Sequence, residues 1–216
     1  MRKGFIVALM ALIMPLAASA QGYQQADRPR GALFGSHHNK KKNNQADEAK
    51  YLAGAVPVDN NGKVVFHKRI EAQGLSADEV FNRMKRSVEA LTQQNKDLQG
   101  NGIVLADAQK HEIVATVKEW LVFTNKPLNL DRSIFGYNLV VNCGNGYADV
   151  HMTRIYYNYE QDRPTGFQLP AEETITDDNA LNKKKTALNR AFGKFRRLTI
   201  DRKDQLLAQF ESELKS

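Results

Sequence analysis

The chain has 216 residues, a formal charge of +7 and a single cysteine, Cys143. That length supports one domain with a full core plus a tail, and one cysteine excludes an intramolecular disulfide framework. The basic excess favours anionic surfaces over cationic ones without specifying one.

Met1-Arg-Lys, the apolar run Phe5 to Leu16 and the small residues Ala18-Ser19-Ala20 before Gln21 have the form of a secretory signal peptide over residues 1–20. The apolar run falls short of the ~20 residues needed to span a bilayer. Loss of Arg2 and Lys3 with the signal lowers the charge to +5. Gln21 offers no thiol for a lipid anchor, so the expectation is a periplasmic or secreted protein with no transmembrane segment after cleavage. Residues 21–48 are rich in Gln, Asn, Lys and His, with few large apolar groups to offset ordering entropy, and read as a flexible polar leader. His37 and His38 lie there without a nearby Cys or carboxylate and do not make a metal site.

The folded part is expected over residues 49–160. Lys63 to Ala72 reads as a first strand, with Val64, Phe66 and Ile70 on one face. Ser76 then opens a helix, with Glu79 completing a capping box and Leu75 stapling onto Val80. Val80, Phe81, Met84, Val88 and Leu91 form its apolar stripe. Four strands follow from Ile103 to Tyr159, and the last two make a hairpin about Gly144-Asn145-Gly146, where Asn-Gly predicts a type I′ turn. With Asn145 and Gly146 as turn residues, Cys143 faces Ala148, Val141 faces Val150 and Leu139 faces Met152. That face is apolar, so Cys143 reads as a buried, inert thiol. The opposite face presents Asn138, Asn142, Asp149, His151 and Thr153 beside Val140 and Ile155, and is expected to be open.

Residues 161–216 read as a loop and C-terminal helices packing on the domain. Gln168 to Asp178 is acidic and irregular. A helix over 179–197 is predicted to bury Leu181, Leu188, Phe192 and Phe195 and to carry a basic back of Lys183, Arg190, Lys194 and Arg197. A last helix starting at Thr199 or Asp201 carries Leu206, Leu207, Phe210 and Leu214.

Tyr51-Leu-Ala-Gly-Ala-Val-Pro-Val58, Gly62-Lys-Val-Val-Phe66, the Gly74-Leu-Ser76 helix start and the tyrosine-bearing hairpin together resemble an exported Bacteroides-type domain family of unknown function with a TBP-like fold. The resemblance implies an α+β domain with one antiparallel sheet in β-α-β-β-β-β-α order, helices on one face, and a C-terminal helical extension. It implies no catalytic residues, and likeness of fold to a DNA-binding protein does not imply DNA binding.

Motifs for chemistry fail to match. His111-Glu112 lacks the second histidine of a zinc-protease helix, because position 115 is alanine. Gly100-Asn-Gly102 and Gly144-Asn-Gly146 lack the third glycine of a dinucleotide fingerprint. No P-loop, nucleophile elbow or C-x-x-C pair is present, so no cofactor is expected. A site assembled from distant residues, such as His67, His111 and His151, is left open. The expectation is a non-catalytic binding or interaction module for an envelope protein, peptide or glycan, using the polar sheet face. The alternatives are an envelope hydrolase with its site on that face, and an electrostatic binder of anionic polymer or glycolipid using the basic helix.

Overall fold

A computed structural model of the chain describes residues 48–126, 129–160 and 163–216. The expected signal peptide and all but the last residue of the expected leader, with His37 and His38, lie outside the described residues. The described elements are β1 (Phe66–Glu71), α1 (Ala77–Thr92), β2 (Gly102–Asp107), β3 (Glu112–Lys126), β4 (Asn129–Gly144), β5 (Tyr147–Tyr159), β6 (Phe167–Pro170), α2 (Ala171–Thr174), α3 (Asp177–Ala180) and α4 (Gly193–Lys215). The strands form one antiparallel sheet in the order β1-β5-β4-β3-β2, with β6 also pairing β5. This is the expected α+β order, extended by the short strand β6.

Chain-local chemistry fixes the start of α1. Glu79 N–H donates to Ser76 Oγ at 3.3 Å, while the Glu79 carboxylate accepts from Ser76 N–H at 2.8 Å, a reciprocal capping box. The hairpin turn adds a third bond, because Ala77 N–H donates to Asn145 Oδ1 at 3.0 Å. Only Gly146 of the two turn residues has positive φ, at 78°, so the turn is not the predicted I′ form, which needs both positive. The register is nonetheless the expected one: Leu139 pairs Met152, Val141 pairs Val150 and Cys143 pairs Ala148.

Val80, Met84, Val88 and Leu91 of α1 and Phe195, Ile200, Leu206, Phe210 and Leu214 of α4 are buried with Ile113, Val117, Leu139, Val141, Val150 and Met152 of the sheet. Each such side chain contributes about 1.5–3 kcal/mol on burial, so this face holds the fold together. Two charged groups are sunk into the same layer. Glu119 receives two bonds from Arg202 Nε, at 3.0 and 2.9 Å, and one from Tyr137 Oη at 3.0 Å. Arg196, with 0% exposure, donates to the carbonyls of Tyr51, Leu52 and Ile175 at 2.6, 2.6 and 2.7 Å and to Asp177 Oδ1 at 2.7 Å.

The C-terminal part departs from the sequence reading. No helix runs over 179–197. Leu181 bridges Leu188 across a turn in which Asn182 Oδ1 accepts from Thr186 N–H, and Lys185 is left-handed, with φ 54°. Asn189 donates to the Asn179 carbonyl and caps Phe192 N–H. Side chains that bond nearby backbone in this way compete with helix formation, and they win here. One 23-residue helix, α4, replaces the two that periodicity predicts and starts at Gly193. The acidic stretch after residue 167 is ordered as β6, α2 and α3, and its carboxylates serve the fold: Glu172 accepts from Val64 N–H at 2.9 Å and Asp177 holds Arg196.

Candidate interaction face

All the helices with a buried stripe lie on one side of the sheet, and alternation sends every second side chain to the other. The strand pairings align those side chains in rows. Asp107, Glu112, Asn142, Asp149 and Arg69 form one row, and Leu105, Val114, Val140, His151 and His67 form the next. Gly102, Thr116, Asn138 and Thr153 follow, then Lys118, Gly136 and Tyr156. Trp120, Ile134 and Asn158 continue the face, with Ile134 buried beneath its neighbours. The five partner-surface residues expected from sequence, Asn138, Asn142, Asp149, His151 and Thr153, are therefore brought together and sit partly or fully exposed.

Ile155 is the exception. Arg154 takes a left-handed conformation, φ 50°, where the β4–β5 register shifts between Gly136 and Asn138. The extra residue reverses the alternation, so Ile155 is buried in the core and Tyr156 takes its place on the open face.

Two glycines of β4 let tyrosines of β5 lie flat. A Cβ at Gly136 would stand 2.2 Å from the Tyr156 ring, and one at Gly144 would stand 2.4 Å from the ring of Tyr147. Arg69 stacks on Tyr147, its guanidinium carbon 4.1 Å from the ring centroid. Trp120 is held from the side by its indole N–H, which donates to Asp97 at 2.7 Å, and carries Arg132 on its ring at 3.6 Å. These rings were absent from the sequence-based site. The signal for them was the same alternation carried into β3, plus the pairing of each glycine with a tyrosine across the hairpin.

Of the three histidines, two meet. The rings of His67 and His151 stack at 4.3 Å and 18°. His67 Nε2 also contacts Asp149 Oδ1 at 3.2 Å, and the Asp149 carboxylate receives Arg69 through both Nε and Nη2. The Arg69 hydrogen bonds hold the Asp149 carboxyl down to about 2. Partial burial, and then the neighbouring His67, lower the His151 imidazole from its ordinary value. His111 is elsewhere, with Nε2 2.8 Å from Asp78 Oδ1 at the start of α1. No cluster of three or more metal-ligating groups with suitable geometry occurs among the described residues. Cys143 is partly buried on the helix side, and burial pushes its thiol up to about 12.

The basic stripe is dispersed. Lys183 and Arg190 lie exposed in the irregular segment before α4, whereas Lys194 and Arg197 belong to its first two turns. Lys194 donates to Asp131 at 2.8 Å and to Tyr159 Oη at 3.1 Å, and Arg197 donates to Glu48 at 2.6 Å. Half of the expected cationic surface is thus engaged in the fold. Cavities of about 490 and 510 Å³ flank the helices, the first beside Glu71, Leu75, Arg83 and Leu214 and the second beside Pro57, Phe66, Lys203 and Leu207. Neither includes Asp149 or His151. No helix among the described residues is long and apolar enough to cross a membrane.

The family described as a domain of unknown function (DUF4468) with TBP-like fold matches residues 66–158. A DUF4468 family protein from Bacteroides ovatus, known from its crystal structure, is 34% identical, with a TM-score of 0.72 over 79% of this chain and 96% of that one. A TBP-like protein from Parabacteroides distasonis, at 21% identity, shares the fold with a TM-score of 0.59, over 74% of this chain and 96% of its own. None of the curated proteins matches. On the strength of the family match and the Bacteroides ovatus relative, the chain belongs to the DUF4468 family, whose biochemical function is unknown, and has its TBP-like α+β fold.

Proposed function

We propose that the protein is exported to the cell envelope and works there as a non-catalytic interaction module whose open sheet face binds a protein surface. One observation carries this reading: a sheet face free of helices among the described residues presents the rings of Trp120, Tyr147, Tyr156, His67 and His151. Aromatic and arginine groups mixed with amides and hydroxyls are what protein interfaces favour, while bare phosphate would call for a field of lysine and arginine. Export rests on the form of residues 1–20, and the absence of a thiol at Gln21 argues against lipid anchoring.

Capture of envelope proteins by the immobilised mature chain tests the binding reading. Tyr156→Ala and His151→Ala each reduce capture while leaving the melting temperature near wild type, and a change of Lys183 and Arg190 to glutamine has no effect. Capture indifferent to the face variants and lost with the lysine and arginine variants would transfer the activity to the basic segment. N-terminal sequencing of the protein recovered outside the cytoplasm should begin at Gln21, and an intact Met1 on a cytoplasmic product overturns the export reading.

The His67–Asp149 contact at 3.2 Å favours a second reading, an envelope hydrolase using that pair as base and orienting acid. Turnover of an ester or peptide substrate that disappears with His67→Ala moves the protein into that class.

A further inference from the structure

We infer that the open sheet face docks against the same face of a second copy of the chain, in an antiparallel, two-fold arrangement. This rests on the reading of that face as the interaction surface and names its occupant.

Glu112 and Arg132 both lie on the open face, and among the described residues neither has an oppositely charged partner; the one contact of Arg132 is the Trp120 ring. They cannot satisfy each other within a chain, because Glu112 and Trp120 are eight residues apart along β3, about 27 Å in an extended strand. The face is thus polarised along its strands. Glu71, Asp107 and Glu112 stand toward the hairpin end, with Asp149 already neutralised by Arg69 and Asp107 facing Lys110, and Lys118 and Arg132 stand toward the other, where Asp97 accepts from the Trp120 indole.

A surface carrying complementary charges at its two ends is complementary to itself when turned end for end. A two-fold axis running across the strands through the row of Thr116, Asn138 and Thr153 lays β3 on β3 in reverse. Glu112 and Trp120 are equidistant from Thr116, so the axis brings Glu112 of the second copy over Trp120, where the Arg132 guanidinium already lies. The contact is made twice, once at each end. Along β5 the same operation sets His151 against Tyr156 of the second copy, ring beside ring, and the apolar row of Val114 and Val140 closes over Lys118 and Gly136. Two sheets packed in this way form a sandwich, an arrangement sheets adopt widely. With strands about 4.8 Å apart, the face covers roughly 600 Å² per copy, or about 1,200 Å² in total, at the lower limit for a specific interface. A reversible dimer is the expected product, not an obligate one.

Sedimentation of the mature full chain over a wide concentration range tests this, with circular dichroism melts to establish that each variant folds. The wild type dimerises on concentration. Glu112→Arg and Arg132→Glu each weaken the dimer about a hundredfold, roughly a factor of ten for each of the two symmetric contacts. Mixing the two folded variants restores association as a heterodimer, since each supplies the charge that the other lacks. A wild type that stays monomeric throughout, or variants that do not rescue each other on mixing, overturns self-docking. The broader reading of the face fails on a separate result, the indifference of envelope capture to Tyr156→Ala.

Discussion

The β4–β5 hairpin and the segment from Asp177 to the end of α4 feed the same core, and both are amphipathic in sequence, yet one is organised by neighbours and the other by strangers. In the hairpin, each strand finds its partner across a two-residue turn, and alternation assigns inside and outside with one reversal at Arg154. In the C-terminal segment, the organising contact is Arg196, which bonds the Tyr51 carbonyl 145 residues away. Apolar periodicity reports which side of an element faces the core. It says nothing of a long polar side chain that crosses the core to reach a distant backbone.

The sharpest test of the hairpin half is Val141→Asp. Val141 is fully buried on the core side of the sheet, between Ile113 of β3 and Val150 of β5, so the variant places an unpaired charge in the core and stable folding is expected to be lost. A melting temperature near wild type would mean that the faces are reversed.

On the other side of the comparison, Arg196→Leu leaves the buried carbonyls of Tyr51 and Ile175, the partly buried one of Leu52, and Asp177 without their donor. Loss of one partner from such a network costs about 3–5 kcal/mol, read as a fall in the denaturant midpoint. Arg190→Leu, in the same segment but exposed, is expected to change stability by no more than about 0.5 kcal/mol. Equal effects from the two would dissolve the contrast between a staple and a solvated arginine.

These two regions also mark how far the sequence was legible. The sheet, α1 with its capping box and the open face around Asn138, Asn142, Asp149, His151 and Thr153 followed from period-2 and period-3.6 patterns, because those elements satisfy their backbone locally. The face was incomplete. Alternation counted through Arg154 put Ile155 outside and hid Tyr156, and nothing in a linear pattern reveals that a left-handed residue resets the count. Trp120 was visible as a strand residue, but its role needed Asp97 and Arg132 beside it. The false helix over 179–197 arose because Leu181, Leu188, Phe192 and Phe195 do share helical spacing, while Asn182 and Asn189 hold the backbone in turns.

A gentler comparison sets the α1 cap, which was read from sequence, against the α4 start, which was not. Ser76→Ala removes the acceptor for Glu79 N–H and is expected to cost about 1 kcal/mol. Phe192, at the N-cap of α4, makes no side-chain cap bond, so Phe192→Ala removes no capping bond and acts through lost packing alone. A Ser76→Ala melt indistinguishable from wild type would show that Asn145, bonded to Ala77 N–H, holds the helix start alone.

The smallest expected effect lies on the open face, at Asp149. Its carboxyl is held at about 2, chiefly by the Arg69 hydrogen bonds, against about 3.9 for an unfolded aspartate. A folded value depressed in this way stabilises the protein fully above the unfolded value, and the contribution is lost as pH falls from about 4 toward 2. Glu211, held at about 2 by Lys215 and Lys68, and other carboxylates titrate in the same window, so wild-type acid unfolding cannot isolate Asp149. The comparison with Asp149→Asn can, because those groups cancel. The wild type is expected to exceed the variant in urea midpoint at neutral pH, by a margin that solvent screening keeps small, and the margin should close between about pH 4 and pH 2. A margin constant across that range would show that Asp149 contributes through shape and hydrogen bonding alone, and that the Arg69 pair adds no charge-dependent stability to this edge of the sheet.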